Sequence, residues 1–296
     1  MGRGDLSDAE WARLEPHLPT NRGRGGRWKC HRRVINGILF RQRTGLPWRD
    51  LPSRFGRWKT VHDRHRRWSA DGTWEGILRA VQADADVEGR IDWSMVGVDS
   101  TTCRVHQHAA GASTRAPKIP GRRSRPARHR SDEALGRSRG GLTCKIHLAG
   151  DGGCRPLGFV ITPGQWGDAP QMIPVLAEIR VPRQAGGRPR TRPDHVGGDK
   201  AYSSRQNRRH LRRRQIKHTI PEPRDQRANR QRRGSRGGRP TGFDKTIYRR
   251  RNEVERTINR LKNFRAIATR YDCEDVGVPL RAVVWPAIRL ALVPCV

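Results

Sequence analysis

The segment Tyr248–Lys262 reads YRRRNEVERTINRLK and embeds two glutamates, Glu253 and Glu255, in a run of arginines. Wound as one α-helix at about 100° per residue, it sets Tyr248 at 0° and Arg251, Lys262 and Glu255 within roughly 60° of it. Val254, Ile258 and Leu261 fall beside that arc and would pack on a core, whereas Glu253 points almost the opposite way, toward solvent. An i, i+4 ion pair with Arg251 would account for Glu255 at about 0.2–0.5 kcal/mol. It gives no reason for Tyr248 and Lys262 to share the face. Two further acids follow short apolar runs: Asp99 follows MVGV and opens DSTT, and Asp199 follows HVGG and opens DKAY. Two strand aspartates and one helix glutamate are an all-oxygen donor set for a pair of hard divalent cations, Mg²⁺ or Mn²⁺. Such ions activate an attacking water or 3′-hydroxyl and stabilise the leaving oxygen of a phosphodiester.

The elements that must bring these acids together are an α/β arrangement. SMVGVDSTTCRVHQH, TCKIHLAG, RPLGFVIT and HVGGDKAY are short, apolar or alternating, and bounded by Gly, Pro and Asp, as strands are. DAPQMIPVLAEIR and SSRQNRRHLRRRQ read as intervening helices, so strands come first and then alternate with helices, which predicts a mixed sheet. The C-terminal LRAVVWPAIRLALVPCV reads as a core helix.

Residues 1–88 read as a separate helical domain. In SDAE, Ser7 can cap a helix whose Glu10 returns the bond. CHRRVINGILFRQRTG has apolar residues at helical spacing and stops at Gly45. In LPWRDLPSRFGRWKTVHDRHRRWSADGTW, a short helix over Asp50–Arg54, a turn at Gly56 and a basic helix from about Arg57 to Trp68 predict a helix-turn-helix. Trp58, Val61, His65 and Trp68 form its apolar stripe. Lys59, Arg64 and Arg67 are its candidate DNA contacts, since the second helix of such a motif enters the major groove. A polar link, DADVEGRID, leads to the second domain, residues 89–296.

Lys and Arg total 62 against 28 Asp and Glu, a net charge of +34 that implies a polyanionic partner, which the helix-turn-helix reading makes double-stranded DNA. No run of about 18 apolar residues offers a membrane span. The start MGRGDLSDAEW has no apolar leader, which predicts a cytoplasmic, nucleoid-associated protein with reduced cysteines. Residues 111–140 and 222–243 are Arg/Gly/Pro-rich and nearly free of apolar side chains. They read as basic loops that contact phosphate. His106, His108 and His147 lack partners at ligand spacing and read as packing or phosphate contacts. Asp151, Asp168 and Asp194, flanked by Gly or Pro, read as turn residues.

YRRRNEVERTINRLK fits the spacing Y-x2-R-x3-E-x6-K and resembles the signature of DDE transposases of the insertion sequence 5 group. LSDAEW…LPWRDLPSRFGRW, VDSTTCRVHQHAAGA, GRSRGGLTCKIHL, TPGQWGDAPQ and DKAYSS resemble further blocks of that group in the same order, over nearly the whole chain. The resemblance implies a ribonuclease-H-like catalytic domain with two metal ions on Asp99, Asp199 and Glu255. It also implies that Tyr248, Arg251 and Lys262 handle DNA near the cut, and that a homodimer holds the terminal inverted repeats and joins them to target DNA. The residues alone leave two other readings open. One is a DNA-binding regulator or inactive remnant, and the other is a metal-dependent nuclease that cleaves without joining.

Overall fold

In the computed structural model, residues 2, 4–20, 28, 30–109, 134–238, 240–271 and 278–292 are described. Most of the 111–140 segment, the 272–277 stretch, and Cys273 and Cys295 lie outside them.

Four helices open the chain: α1 (Asp8–Leu14), α2 (His31–Thr44), α3 (Trp58–Ala70) and α4 (Thr73–Val87). The Ser7–Glu10 capping box forms, with Glu10 N donating to Ser7 Oγ at 3.2 Å and Ser7 N to Glu10 Oε2 at 2.7 Å. α2 stops where Gly45 takes the left-handed conformation. The expected short helix over Asp50–Arg54 is instead two 3-10 turns, Trp48–Asp50 and Ser53–Phe55. Pro47 and Pro52 precede them and favour extended or turn geometry over a continuous helix. The helix that packs against α3 in this region is therefore α2. The first four residues of the link DADVEGRID are helical, since α4 continues to Val87 with Ala85 buried.

The sheet comprises β1 (Val96–Val105), β2 (Gly136–Ser138), β3 (Gly141–Asp151), β4 (Pro156–Pro163), β5 (His195–Gly198), β6 (Lys217–Thr219) and β7 (Thr269–Arg270). β1, β3 and β4 form an antiparallel meander, with β2 extending the β4 side. On the other side of β1, β5 and then β6 run parallel to it, and β7 pairs with its far end. Helices α5 (Met172–Ala177) and α6 (Arg205–Arg213) connect the parallel part. Then follow α7 (Arg224–Arg232), α8 (Lys245–Arg249), α9 (Asn252–Lys262), α10 (Arg265–Ala268) and α11 (Val278–Leu292). This is the mixed sheet flanked by helices expected of a ribonuclease-H-like domain.

The 222–243 segment departs from its expected loop. α7 buries nothing, yet Arg230 Nη2 pairs with Glu222 at 2.9 Å and Gln226 Nε2 donates to Ser203 O at 2.8 Å. Local ion pairing and one tether thus hold a helix that hydrophobicity alone would not predict. Gly136–Ser138, inside the other expected loop, pairs with β3 as β2.

One apolar cluster joins the N-terminal helices to the face of the sheet that carries α9 and α11. Its spine is tryptophan: Trp68 meets Trp74 edge-on at 4.7 Å, and Trp74 meets Trp285 of α11 at 4.8 Å between ring centroids. A second cluster, including Val96, Val98, Met172, Val196 and Leu211, fills the opposite face. No helix among the described residues is long and apolar enough to cross a membrane.

Candidate active site

Alternation along β1 sends Val96 and Val98 to one core, and Gly97 and Asp99 to the face under α9. Gly97 is what lets α9 settle there: a Cβ at that position would lie 2.7 Å from Val254 Cβ. Val254 is thereby fixed over the sheet, and Glu255, the next residue, is presented at its edge. Val98 pairs with Gly198, so Asp99 and Asp199 occupy the next position on two neighbouring parallel strands. Asp199 leaves β5 as the cap of the turn Lys200–Tyr202, its Oδ1 accepting from Ala201 N at 2.9 Å.

Arg251 lies between the acids. Its Nη2 is 3.3 Å from Asp99 Oδ2 and its Nη1 is 2.7 Å from Glu255 Oε1. Asp99 Oδ1 accepts from Ser100 N at 2.8 Å. Burial raises the Asp99 carboxyl above its ordinary range, opposed by the Ser100 N–H and Arg251, while the charges of Asp199 and Glu255 push it further up. Like charges crowd this spot, and a cation relieves them. The all-carboxylate donor set suits Mg²⁺ or Mn²⁺ in kind. Among the described residues, however, no group of three or more His, Cys, Asp or Glu side chains is placed to hold a metal ion, and a guanidinium lies between Asp99 and Glu255.

The motif helix is not continuous. α8 ends at Arg249 and α9 begins at Asn252, with Arg250 and Arg251 in the turn between. The break frees Arg250 to donate to Asp92 Oδ2 at 2.5 Å, Ser94 Oγ at 3.0 Å and Glu253 Oε1 at 3.1 Å. Glu253, expected in open solvent, is thus a half-buried anchor that ties α9 to the approach of β1. Tyr248 rests against Phe243, with ring centroids 5.1 Å apart. Lys262 is exposed at the end of α9 and acts electrostatically on Cys103, farther along β1 than Asp99.

On α3, Lys59 and Arg67 are exposed. Arg64 is not: only 7 % exposed, it is stacked 4.2 Å from the Trp28 ring and 5.1 Å from Trp68, and its Nη1 lies 3.1 Å from His31 Nδ1. Cation–π stacking has taken it out of the set of free phosphate contacts. His147 is fully buried with Nε2 2.9 Å from Thr162 Oγ1, and burial depresses its pKa to about 4. It is a packing histidine. The side chain of His108 lies outside the described residues.

Sequence reasoning missed Asp168 and Lys145. Asp168 makes no side-chain bond to the turn it begins. It accepts instead from Ser100 Oγ at 2.8 Å and Lys145 Nζ at 3.1 Å. The signal available was its place inside the TPGQWGDAPQ block, whose partners are distant in sequence. Asp151, by contrast, is a buried turn acid, accepting from Arg155 N at 2.6 Å and Asp92 N at 3.0 Å.

Two family models match the chain. Residues 6–78 match the family described as "Putative transposase of IS4/5 family". The protein y4sN of Sinorhizobium fredii is 37% identical over 108 residues, 36% of this chain and 82% of that protein. The "Insertion element IS402 uncharacterized 16.2 kDa protein" of Burkholderia cepacia is 33% identical over 127 residues, 40% of this chain and 84% of its own length. Among solved structures, a pre-cleavage Mos1 transpososome aligns over 82% of both chains at 10% identity and a TM-score of 0.25, too low to bear on the fold. Residues 94–276, more than half of the chain, match the family described as "Transposase DDE domain". The chain belongs to the DDE transposase family.

Proposed function

We propose that the protein moves an insertion sequence: it binds the terminal inverted repeats, hydrolyses a phosphodiester at each end and joins the freed 3′-hydroxyl to target DNA. The observation that carries this reading is that Asp99 and Asp199 each follow the last paired position, Val98 and Gly198, of the parallel strands β1 and β5, with Glu255 tied to Asp99 through Arg251. Asp99, Asp199 and Glu255 would hold Mg²⁺ or Mn²⁺, two ions to a site, which when bound activate the attacking oxygen and stabilise the leaving one. Arg251, Tyr248 and Lys262 would bind the phosphates that flank the scissile bond. Arg251 is the member that must exchange its two carboxylates for DNA. Lys59 and Arg67 on α3, with the arginines of α6 and α7, would hold duplex through its backbone, and two copies would pair the two ends.

The test incubates the full chain with inverted-repeat DNA and Mg²⁺ beside the Asp99→Asn variant. Cleavage plus joining that the substitution abolishes is the expected result. Cleavage without joining would make it a nuclease, and binding alone a regulator.

A further inference from the structure

One polar network at the edge of the site is left unused by these roles. Asp168 opens the turn before α5, at the end of TPGQWGD, and its Oδ1 accepts from both Ser100 Oγ (2.8 Å) and Lys145 Nζ (3.1 Å). Lys145 Nζ also donates to Trp166 O at 2.9 Å, so β3 grips the loop at two points. Ser100 is the residue whose backbone N–H holds Asp99 Oδ1. One residue is therefore bound to Asp99 through its main chain and to Asp168 through its side chain.

The same loop reaches the other aspartate. Asn207, 1 % exposed on α6, donates through Nδ2 to Ala169 O at 2.8 Å and to Tyr202 O at 3.0 Å. Tyr202 closes the turn that Asp199 caps. Asp168 and its neighbour Ala169 thus connect to the Asp99 strand on one side and to the Asp199 turn on the other. A partly buried, bonded network of this kind holds the groups attached to it in place.

We propose that Asp168 is a positioning residue: by anchoring Ser100 while its loop is stapled to the Asp199 turn, it fixes the two strand carboxylates relative to each other before a divalent cation binds. Lys145, paired with the same carboxylate oxygen, keeps Asp168 aimed at Ser100. The proposal rests on the transposase reading, since it supposes that Asp99 and Asp199 hold metal. Partners that orient ligands in this way contribute about 10–100-fold to metal affinity.

The test is calorimetric titration of the full chain with Mn²⁺, without DNA, for wild type, Asp168→Ala, Asp168→Asn, Ser100→Ala and the Ser100→Ala/Asp168→Ala pair. Asp168→Ala and Ser100→Ala are each expected to weaken Mn²⁺ binding by about tenfold. The double variant is expected to be no weaker than either single one, because both remove the same bond. Asp168→Asn, whose amide oxygen still accepts from Ser100 Oγ, should retain most of the affinity, and affinity for inverted-repeat DNA should stay within about twofold throughout. Wild-type Mn²⁺ affinity in both single variants, or losses that add in the pair, would overturn the proposal. If Asp168→Ala does not fold, Ser100→Ala, which lacks only a hydroxyl, decides by the same criterion. A wild-type chain that binds no Mn²⁺ sinks the transposase reading and the proposal with it. Wild type that binds Mn²⁺ no better than its variants sinks the proposal alone.

Discussion

Gly97 and Val254 touch more closely than any other residue type at position 97 would allow, since a Cβ there would stand 2.7 Å from Val254 Cβ. The contact sets the height of α9 above β1, and so the reach of Glu255 toward Asp99. In Gly97→Ala the helix must lift. Overpacking of this sort costs about 1–3 kcal/mol, and a displacement near 1 Å at a reacting centre can cost about 100-fold in rate. Strand cleavage should therefore fall far more than the thermal midpoint, and equal activity in the two proteins would refute the geometric role of this contact.

Arg251 satisfies Asp99 and Glu255 with one guanidinium. A divalent cation has to compete with that side chain. Two effects of opposite sign follow in Arg251→Ala. Mn²⁺ binding to the free protein should tighten by about fivefold or more as the competing charge is removed. Cleavage of end DNA should drop, because a phosphate beside the scissile bond no longer has its guanidinium partner. A parallel decline in both would show that Arg251 organises the acids rather than competing for them. Calorimetry and a cleavage assay on the same preparation separate the outcomes.

What the sequence disclosed and what it hid follow from the range of the interactions. The Arg251–Glu255 pairing, and the places of Asp99 on a strand and Asp199 at a strand's end, were legible because i, i+4 spacing and strand ends are local patterns. The mixed α/β class was legible for the same reason. Asp168 was not, because Ser100 lies 68 residues away and nothing local marks that bond. Arg64 looked like its exposed neighbours until folding brought Trp28 against it from outside α3. Arg250, in the break between α8 and α9, pairs with Asp92, 158 residues earlier, and nothing local marks that bond. The helix α7 escaped a reading based on hydrophobicity because it buries no side chain and is held by polar bonds alone.

Three basic residues of α3, Lys59, Arg64 and Arg67, should separate by function. Lys59→Ala and Arg67→Ala, both at exposed positions, should leave stability within about 0.5 kcal/mol. Each should flatten the dependence of log K on log salt by about 0.9 for every phosphate that the protein no longer neutralises. Arg64→Ala removes a cation that lies against two neighbouring indole rings and takes away the hydrogen-bond partner of His31 Nδ1. Its cost should appear as about 1–3 kcal/mol of stability, with a salt slope equal to that of wild type. Chemical denaturation and salt-dependent DNA titration of the three variants test this division, and an unchanged Arg64→Ala stability would contradict the stabilising role of these ring contacts.

The pH dependence of folding should carry the mark of His147. Burial holds this imidazole neutral, with its folded pKa lowered from 6.5 to about 4, whereas in the unfolded chain it ionises at the ordinary value. Between these values the unfolded state binds more protons, so stability rises with pH there and is lost as pH falls from about 6.5 toward 4. The full contribution is about 3 kcal/mol at 1.36 kcal/mol per unit. His147→Gln keeps a donor for Thr162 Oγ1 but has no titrating group, so its unfolding free energy should stay flatter across that window while matching wild type more closely below it. The carboxylates contribute their own slope at still lower pH, which is why the difference between the two proteins, rather than either curve, isolates the histidine. Superimposable wild-type and His147→Gln curves from pH 7 to 4 would mean that the imidazole is protonated inside the fold, the Asp168 carboxylate 3.7 Å away having outweighed its complete burial.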